Sequence, residues 1–536
     1  MRHSSGEKKD MVLELSHRFR RVFVPITLLL LASCTTRPPV SDYPRTPSYA
    51  IASAQETPLG KTLARAARAH PDQSGFRLIP SGSDAFMMRI ALVEAAQRSI
   101  DLQYFSTHDD STGKLLLETL LRAADRGVRV RMLLDDWNLD DFRAGVAALN
   151  THPNIEIRVF NPYSTRDQSV VAYVGNIFTR FDQTTRRMHN KALIADNEVA
   201  IMGGRNLGDE YFEASADVNF RDMDVLTAGP ITAKISKSFD RYWNSAESYP
   251  VEALNLPKSD GPEIARLREE LSQHWDDVLH SAAGKQLHEM SLTKQLQNGQ
   301  VPLVWAKAEL AADKPSKIEQ PSEDSDSKPE IKLDQLVNNA QHEFIIITPY
   351  FVPLDSGVEW LVSLVDRGVA VRIETNSLAS TDMVPAEAGY SHYRQPLVAG
   401  GVQLYELKSD LAEPPHRTIF KGSSQNGLHA KLYVIDRRDL MIGSFNLDPR
   451  SINLNTEQVL VIHSPELAGQ VAKMFETISS PTASYHVMLE DGADSSLVWI
   501  TQENGQEVRY HSDPHAGVWR NVTSRFFSIL PIDDEL

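Results

Sequence analysis

The stretch RRMHNKALIADNEVAIMGGRN, residues 186–206, decides the fold class. Successive side chains of an extended chain point to opposite faces, so His189 and Lys191 share one face. Ala192-Leu193-Ile194-Ala195 reads as the buried continuation of a strand, Asp196-Asn197 as a turn, and Val199-Ala200-Ile201-Met202 as a second apolar strand. An imidazole and an ammonium are thus aimed at one point from a rigid element. Taken singly, such a histidine is best read as a satisfied histidine at a strand end.

The rest of the chain changes that reading. QNGLHAKLYVIDRRDLMIGSFN, residues 425–446, carries His429, Lys431, Asp436, Gly443, Ser444 and Asn446. The first stretch carries His189, Lys191, Asp196, Gly203, Gly204 and Asn206 at the matching places. Upstream, helix periodicity over 113–126 ends at Gly127 before the strand 128–134, and 357–367 ends at Gly368 before 369–373. Arg-Gly-Val stands between helix and strand both times, 63 residues before His189 and 62 before His429. Two rare motifs at matching places in one repeated order of elements mark an internal duplication. The β-α-β-α alternation predicts an α/β fold of two similar halves, each a mixed sheet flanked by helices. The site is expected at the pseudo-twofold interface between them.

The domain organisation follows. Residues 75–250 are the first half and 333–480 the second, with a helical connector and a disordered loop over 251–332. The loop reading rests on the run of Pro, Ser, Glu, Asp and Lys over 314–332, which lacks apolar periodicity. Residues 481–536 are read as a hairpin turning at Asn504-Gly505 followed by a helix. That helix sets Trp519, Val522, Phe526 and Ile529 on one face, and packing on the body is preferred over lying in a membrane surface.

Two copies of a His/Lys face meeting at one point suit a single anionic group such as a phosphodiester. One neutral imidazole can attack phosphorus while the other, protonated, donates to the leaving alkoxide. Lysines at the non-bridging oxygens supply charge, so neither a metal nor another cofactor is required. The candidate catalytic residues are His189, Lys191, Asp196, His429, Lys431 and Asp436. Gly443 and Ser444 are read as allowing close approach of the backbone to substrate, with Asn206 and Asn446 as donors. Each imidazole needs an orienting partner, and a carboxylate later in each half is a candidate. Asp222 follows His189 by 33 residues and Glu457 follows His429 by 28. Asp196 and Asp436 fall at strand ends, where a turn can use them. Tyr350 and Phe351 are assigned to the core, and Asp135 to a helix cap.

Composition narrows the class. A chain of 536 residues with net charge −16 lacks the overall basic balance of a general nucleic-acid binder. Its one cysteine, Cys34, closes FVPITLLLLASC, residues 23–34, behind Arg18, Arg20 and Arg21. The apolar run is short for a membrane span, and Leu31-Ala32-Ser33-Cys34 resembles the lipobox of bacterial lipoproteins. The expectation is a signal peptide over 1–33, lipidation at Cys34 and a Pro/Ser-rich tether over 34–74. Without 1–33 the chain keeps 49 basic and 68 acidic residues. By resemblance to lipoprotein sorting, Thr35 after the cysteine points to the outer membrane of a bacterial envelope, facing the periplasm.

The paired His-x-Lys-x4-Asp motifs resemble those of the phospholipase D superfamily, over about residue 75 to the C-terminus. RRMHNK, GGRNLGDEYF, ITPYFVP, TNSLAS, GVQLYELK, LHAKLYVID, GSFNLDPRS and the terminal SILP look most like bacterial cardiolipin synthases of the C type. The resemblance implies a phosphatidyl-histidine intermediate, with His189 as nucleophile and His429 as acid/base. It implies phospholipid partners: phosphatidylglycerol as acceptor, phosphatidylglycerol or phosphatidylethanolamine as donor, and a membrane surface. A hydrolytic phospholipase D is the alternative; a nuclease or a non-catalytic envelope lipoprotein is less favoured. The sequence leaves the oligomeric state open.

Overall fold

The computed structural model describes residue 43 and residues 45–52, 56–139, 142–162, 185–254, 262–280, 292–321, 326–409, 426–490 and 496–528. The signal peptide, Cys34 and residues 529–531 of the terminal SILP lie outside the described residues. In chain order the strands of the first half are β1 Ser74–Ile79, β2 Ser99–Tyr104, β3 Arg129–Asp135, β4 Ile155–Phe160, β5 Ala192–Ala195, β6 Val199–Gly203, β7 Asn219–Arg221, β8 Asp224–Ala228 and β9 Ser248–Pro250. β10 spans Val304–Ala312. The second half supplies β11 Glu343–Ile347, β12 Ala370–Asn376, β13 Gln403–Leu407, β14 Asn426–Leu428, β15 Leu432–Ile435, β16 Asp439–Gly443, β17 Gln458–His463, β18 Ser484–Leu489, β19 Leu497–Glu503 and β20 Gln506–Tyr510.

The pairings read almost the same from either end. On one side the order is β9-β4-β3-β2-β5-β6-β8-β1. On the other it is β20-β19-β18-β13-β12-β11-β15-β16-β17. In each half the three strands before the motif run parallel to one another, and the strands after it run antiparallel. The duplicated α/β fold is therefore present, as two mixed sheets with helices against them.

β10 joins the two sheets. Its start pairs with β1, Ser74 opposite Ala306, and its remainder pairs with β17, from Lys307 opposite His463 to Ala312 opposite Gln458. This corrects the reading of 251–332 as helix and loop. The segment VWAKAELAA is poor in the branched and aromatic residues that favour strands. Its place between two edge strands with unpaired backbone groups supplies the ladder that local propensity does not. The run assigned to disorder also has structure where it is described. Pro315–Glu319 is a 3₁₀ turn, and a helix capped by Ser327 runs from Lys328 to Val337.

Two further boundaries move. The expected tether is docked from residue 45: the backbone carbonyls of Thr46, Ser48 and Tyr49 accept from Arg158, Arg131 and Arg129. Thr57 then caps a helix, Pro58–Ala69, that buries Leu59 and Leu63. At the other end β18 adds to β13, so the hairpin β19-β20 extends the second sheet. Its turn residues Asn504 and Gly505 both have positive φ, as a two-residue hairpin loop requires.

The core is layered. One apolar cluster lies on the outer side of the first half and another on that of the second. The third is shared: Ala192, Ile194 and Met202 of the first half pack with Leu432, Val434 and Ile442 of the second. Helices Pro230–Trp243 and Pro465–Ile478 supply its remaining apolar faces, including Phe239, Trp243, Val471 and Phe475. Truncating one such side chain to alanine costs about 2–5 kcal/mol. The shared layer fixes the relative position of β5 and β15, and so of the two motifs.

Candidate active site

His189 and Lys191 stand just ahead of β5, and His429 and Lys431 just ahead of β15, not within the ladders. The backbone here is held by the opposite half. The His189 N–H donates to the Thr456 carbonyl at 3.0 Å, and the His429 N–H to that of Arg221 at 2.8 Å. β7 and β14 pair in parallel, Leu428 opposite Arg221, which draws His429 to Asp222. Asp135 and Asn376 end β3 and β12 and do matching work. Asp135 accepts from the Met188 N–H at 2.8 Å and pairs with Arg187 at 3.2 Å. Asn376 accepts from the Leu428 N–H at 2.8 Å and donates to its carbonyl at 3.0 Å. Asp135 caps no helix; it anchors the residues leading into the histidine.

The orienting carboxylates are exchanged between halves. His189 Nδ1 meets Glu457 at 2.9 Å, and His429 Nδ1 meets Asp222 at 2.7 Å. The expectation that each half supplies its own partner is corrected: the residues are those expected, and the pairing is crossed. With Nδ1 donating to a carboxylate, the lone pair of each ring is at Nε2, and at His429 the Lys431 ammonium lies 3.2 Å from that nitrogen. Each lysine donates to the carbonyl of its own histidine, Lys191 at 2.7 Å and Lys431 at 2.6 Å. Lys431 Nζ also lies 3.1 Å from His429 Nδ1, which already faces Asp222, so the contact sets a charge against the ring.

Burial and these charges set the protonation. Burial, with Lys191, Lys431 and Arg450, holds His189 well below the usual histidine range. Burial and Lys431 bring His429 to about 4 against the opposing pull of Asp222. Burial would raise Asp222, yet its hydrogen bond and attraction to His429, with Lys431 and Arg205, bring it to about 2. Burial lifts Glu457 to about 7, opposed by Lys191 and Ser444. Burial lowers both ammoniums, Lys191 well below its ordinary value and Lys431 to about 8. The site therefore carries one firmly ionised carboxylate, at His429, and one that titrates, at His189.

The other predicted residues divide. The Ser444 hydroxyl donates to Glu457, and Ser451 donates to the same carboxylate at 3.1 Å. Asn206 donates to the Tyr211 hydroxyl at 2.9 Å, and the Asn446 N–H to Ser451 at 3.3 Å. The glycines make room for the protein's own atoms. A Cβ at Gly204 would lie 2.3 Å from Asp222 Oδ1, and one at Gly443 2.2 Å from the Gln458 carbonyl. Asp196 and Asp436 are outside the site. Asp196 accepts from the N–H groups of Gln97, Arg98 and Ser99, and Asp436 from those of Gln341, His342 and Glu343. Both sit at positive φ in the turn after the motif strand, far along β5 and β15 from the histidines.

Sequence reasoning missed the walls. Phe105, just past β2, meets the His189 ring edge-on at 5.1 Å and stacks on the half-exposed Trp137. Tyr350, assigned to the core, stands edge-on to His429 at 6.3 Å and donates to Asp382 at 2.8 Å; Phe351 is the buried neighbour. Tyr211 and Phe220 complete the wall around His429 at 5.1 and 5.4 Å. Lys317, from the run assigned to disorder, is buried behind Glu457. It pairs with Asp313 at 2.9 Å, and that carboxylate accepts the Glu457 N–H at 3.0 Å. His108, Asp110 and Glu210 place ligand atoms within 4.8 Å of one another, but Asp110 already accepts from the N–H groups of Gly113 and Asp209 as a helix cap.

The arrangement brings two histidines, each on a carboxylate, and two lysines within electrostatic reach of one another. Comparison with known proteins agrees with it. Residues 90–243 and 333–479 match the family model described as cardiolipin synthase, phospholipase D-like domain. Cardiolipin synthase C of Escherichia coli is 37% identical over 467 residues, 87% of this chain and 96% of its own. Cardiolipin synthase A of Pseudomonas entomophila is 28% identical, over 78% of this chain and 71% of its own. Among solved structures, phosphatidylserine synthase of Haemophilus influenzae superposes with a TM-score of 0.51 at 16% identity, covering 80% of this chain and 92% of its own, a likeness of fold.

Proposed function

Since the chain belongs to the family of cardiolipin synthases with phospholipase D-like domains, we propose that it transfers a phosphatidyl group to phosphatidylglycerol, forming cardiolipin. It is an enzyme of the phospholipase D superfamily that acts on phospholipids. The observation that carries the reading is the crossed pair of His–carboxylate couples around one pocket, each with a lysine beside it.

His189 is the nucleophile. Burial and the neighbouring cations hold it neutral, and its Nδ1 proton rests on Glu457. A phosphodiester monoanion entering between Lys191 and Lys431 favours protonation of the groups around it. His429 takes that proton more readily because Asp222 beside it stays ionised. Nε2 of His189 forms a bond to phosphorus as the P–O bond to the headgroup breaks, and His429 protonates the departing alkoxide. Neutral His429 then removes the proton from a hydroxyl of phosphatidylglycerol. That oxygen attacks phosphorus, the P–N bond breaks, and His189 is released. The lysines offset charge at the non-bridging oxygens throughout.

Asp382, on Tyr350, sets negative charge at the His429 side. An ammonium-bearing headgroup fits there better than an anionic one, which favours phosphatidylethanolamine as donor. The leader ending at Cys34 supports a lipid-anchored protein of the bacterial envelope facing the periplasm, and the membrane surface is where its substrates lie.

The test uses purified protein with vesicles of phosphatidylglycerol, with and without phosphatidylethanolamine, and His189→Ala as control. Products are separated by mass. Cardiolipin from wild type alone is expected, with more formed when phosphatidylethanolamine is present. Phosphatidic acid without cardiolipin would make the enzyme a hydrolase.

A further inference from the structure

The C-terminal helix Val518–Ser528 is amphipathic, yet it buries none of its residues. Trp519 is 80% exposed, Phe526 56% and Val522 52%. These three lie on one face by helical spacing. The preference for packing this stripe on the body is therefore corrected: the helix is held by its other side. It lies along helix Val384–Ser391, and Arg520 donates to the carbonyls of Leu378 at 3.1 Å and Thr381 at 2.6 Å.

That attachment leads straight to the pocket. The residue after Thr381 is Asp382, which accepts from the Tyr350 hydroxyl, and Tyr350 stands on His429. The residue after that is Met383, itself 41% exposed. The exposed stripe is thus tied to the His429 side of the site by a few covalent and hydrogen-bonded links.

Charge marks what covers it. The whole chain carries −16, which repels an anionic surface. This helix, VWRNVTSRFFS, has no acidic residue; Arg520 is turned to the body, and Arg525 is exposed beside the apolar face. A basic helix with Trp and Phe on its free side matches a bilayer interface containing anionic phospholipid. A second copy of so acidic a chain offers it less.

We propose that helix Val518–Ser528 docks flat on an anionic phospholipid bilayer through Trp519, Val522 and Phe526, presenting the His429 side of the pocket to the lipid headgroups. The purpose given to the docking rests on the phosphatidyl-transfer reading above; the docking itself has its own readout.

The experiment uses the full chain and vesicles of phosphatidylglycerol, some carrying bromine in the acyl chains. Bromine is expected to quench tryptophan fluorescence of the wild type, and Trp519→Phe is expected to remove a clear part of that quenching. In a second arm, transfer is measured on vesicles and on a short-chain, monomeric phosphatidylglycerol. The triple variant Trp519→Ser/Val522→Ser/Phe526→Ser is expected to lower the ratio of vesicle to monomer rates about tenfold. Equal quenching in wild type and Trp519→Phe, or a ratio within about twofold of wild type, overturns the proposal. So does a triple variant that loses self-association while its quenching stays unchanged, since the face would then belong to a second copy. If no lipid is transferred by any form, the functional reading fails, and the quenching still decides the docking.

Discussion

The two halves of the pocket have the same backbone and different electrostatics. Ahead of β5, His189 rests on Glu457, a carboxylate lifted by burial to about 7. Ahead of β15, His429 rests on Asp222, held at about 2. The difference begins in one residue after each motif. Gly204 lets the short Asp222 side chain sit against the backbone, where a Cβ would stand 2.3 Å from its oxygen. Ser444 occupies the matching place and donates its hydroxyl to the longer Glu457. In the proposed mechanism these small differences beside two similarly placed histidines divide the work between a nucleophile and a proton carrier. The crossed pairing adds that neither half has a complete couple. Each histidine is oriented by the other half, so the site exists only when both sheets are in place.

The largest effect expected is from His189→Ala, a loss of transfer of about 10⁴-fold or more. His429→Ala is expected to cost about 10²–10⁴-fold with a natural headgroup, and much less with a phosphatidyl-nitrophenol, whose leaving group needs no proton. Stopped-flow release of nitrophenol separates them: a burst should survive in His429→Ala and vanish in His189→Ala. A burst in both variants would remove the distinction between the halves.

Substituting the carboxylates sharpens it. Asp222→Asn is expected to lower kcat about 10²-fold with natural phospholipid and to spare the activated substrate, because it weakens only the proton carrier. Glu457→Gln should slow both substrates alike. Single-turnover rates with the two leaving groups check this.

The pH profile gives a smaller signal. If Glu457 acts ionised, kcat/KM falls as pH drops through about 7. If Lys431 acts protonated, it falls as pH rises through about 8. A narrow bell is therefore expected for wild type, and Glu457→Gln should lose the acid limb while keeping the alkaline one. Smallest in activity is Asp196→Ala. It removes a carboxylate that accepts three backbone N–H groups, so about 1–3 kcal/mol of stability should go while kcat stays within about tenfold. Thermal unfolding and steady-state rates measured together test that placement outside the chemistry.

The sequence made much of this legible and hid particular things for physical reasons. The repeated motif revealed the halves because both copies keep a histidine, a lysine and two apolar strands at fixed spacing. The same spacing concealed the exchange, since Asp222 and Glu457 each follow their own motif along the chain, and the β7–β14 pairing and the Met188–Thr456 bridge show them crossing over. β10 escaped because alanines, a lysine and a glutamate carry no strand pattern, and its strand character comes from the two edges it joins. Lys317 escaped because a charged residue in a polar run is ordinarily solvated; here Asp313 and the Ser451 carbonyl take its charge inside the protein. Tyr350 looked like a core residue because an aromatic beside a strand usually is one, and nothing in the sequence marked Phe105. Trp519 and Phe526 were expected to pack because apolar residues at helical spacing usually do, and they stand exposed.

The division of labour between the halves is tested most directly by trapping the intermediate. Asp222→Asn enzyme would be mixed with an activated phosphatidyl donor, quenched within a turnover, digested and examined by mass for the phosphatidyl group. The expected result is modification of the peptide bearing His189 and none of the peptide bearing His429. A phosphatidyl group on His429 would contradict the assignment and reverse the roles of the two halves.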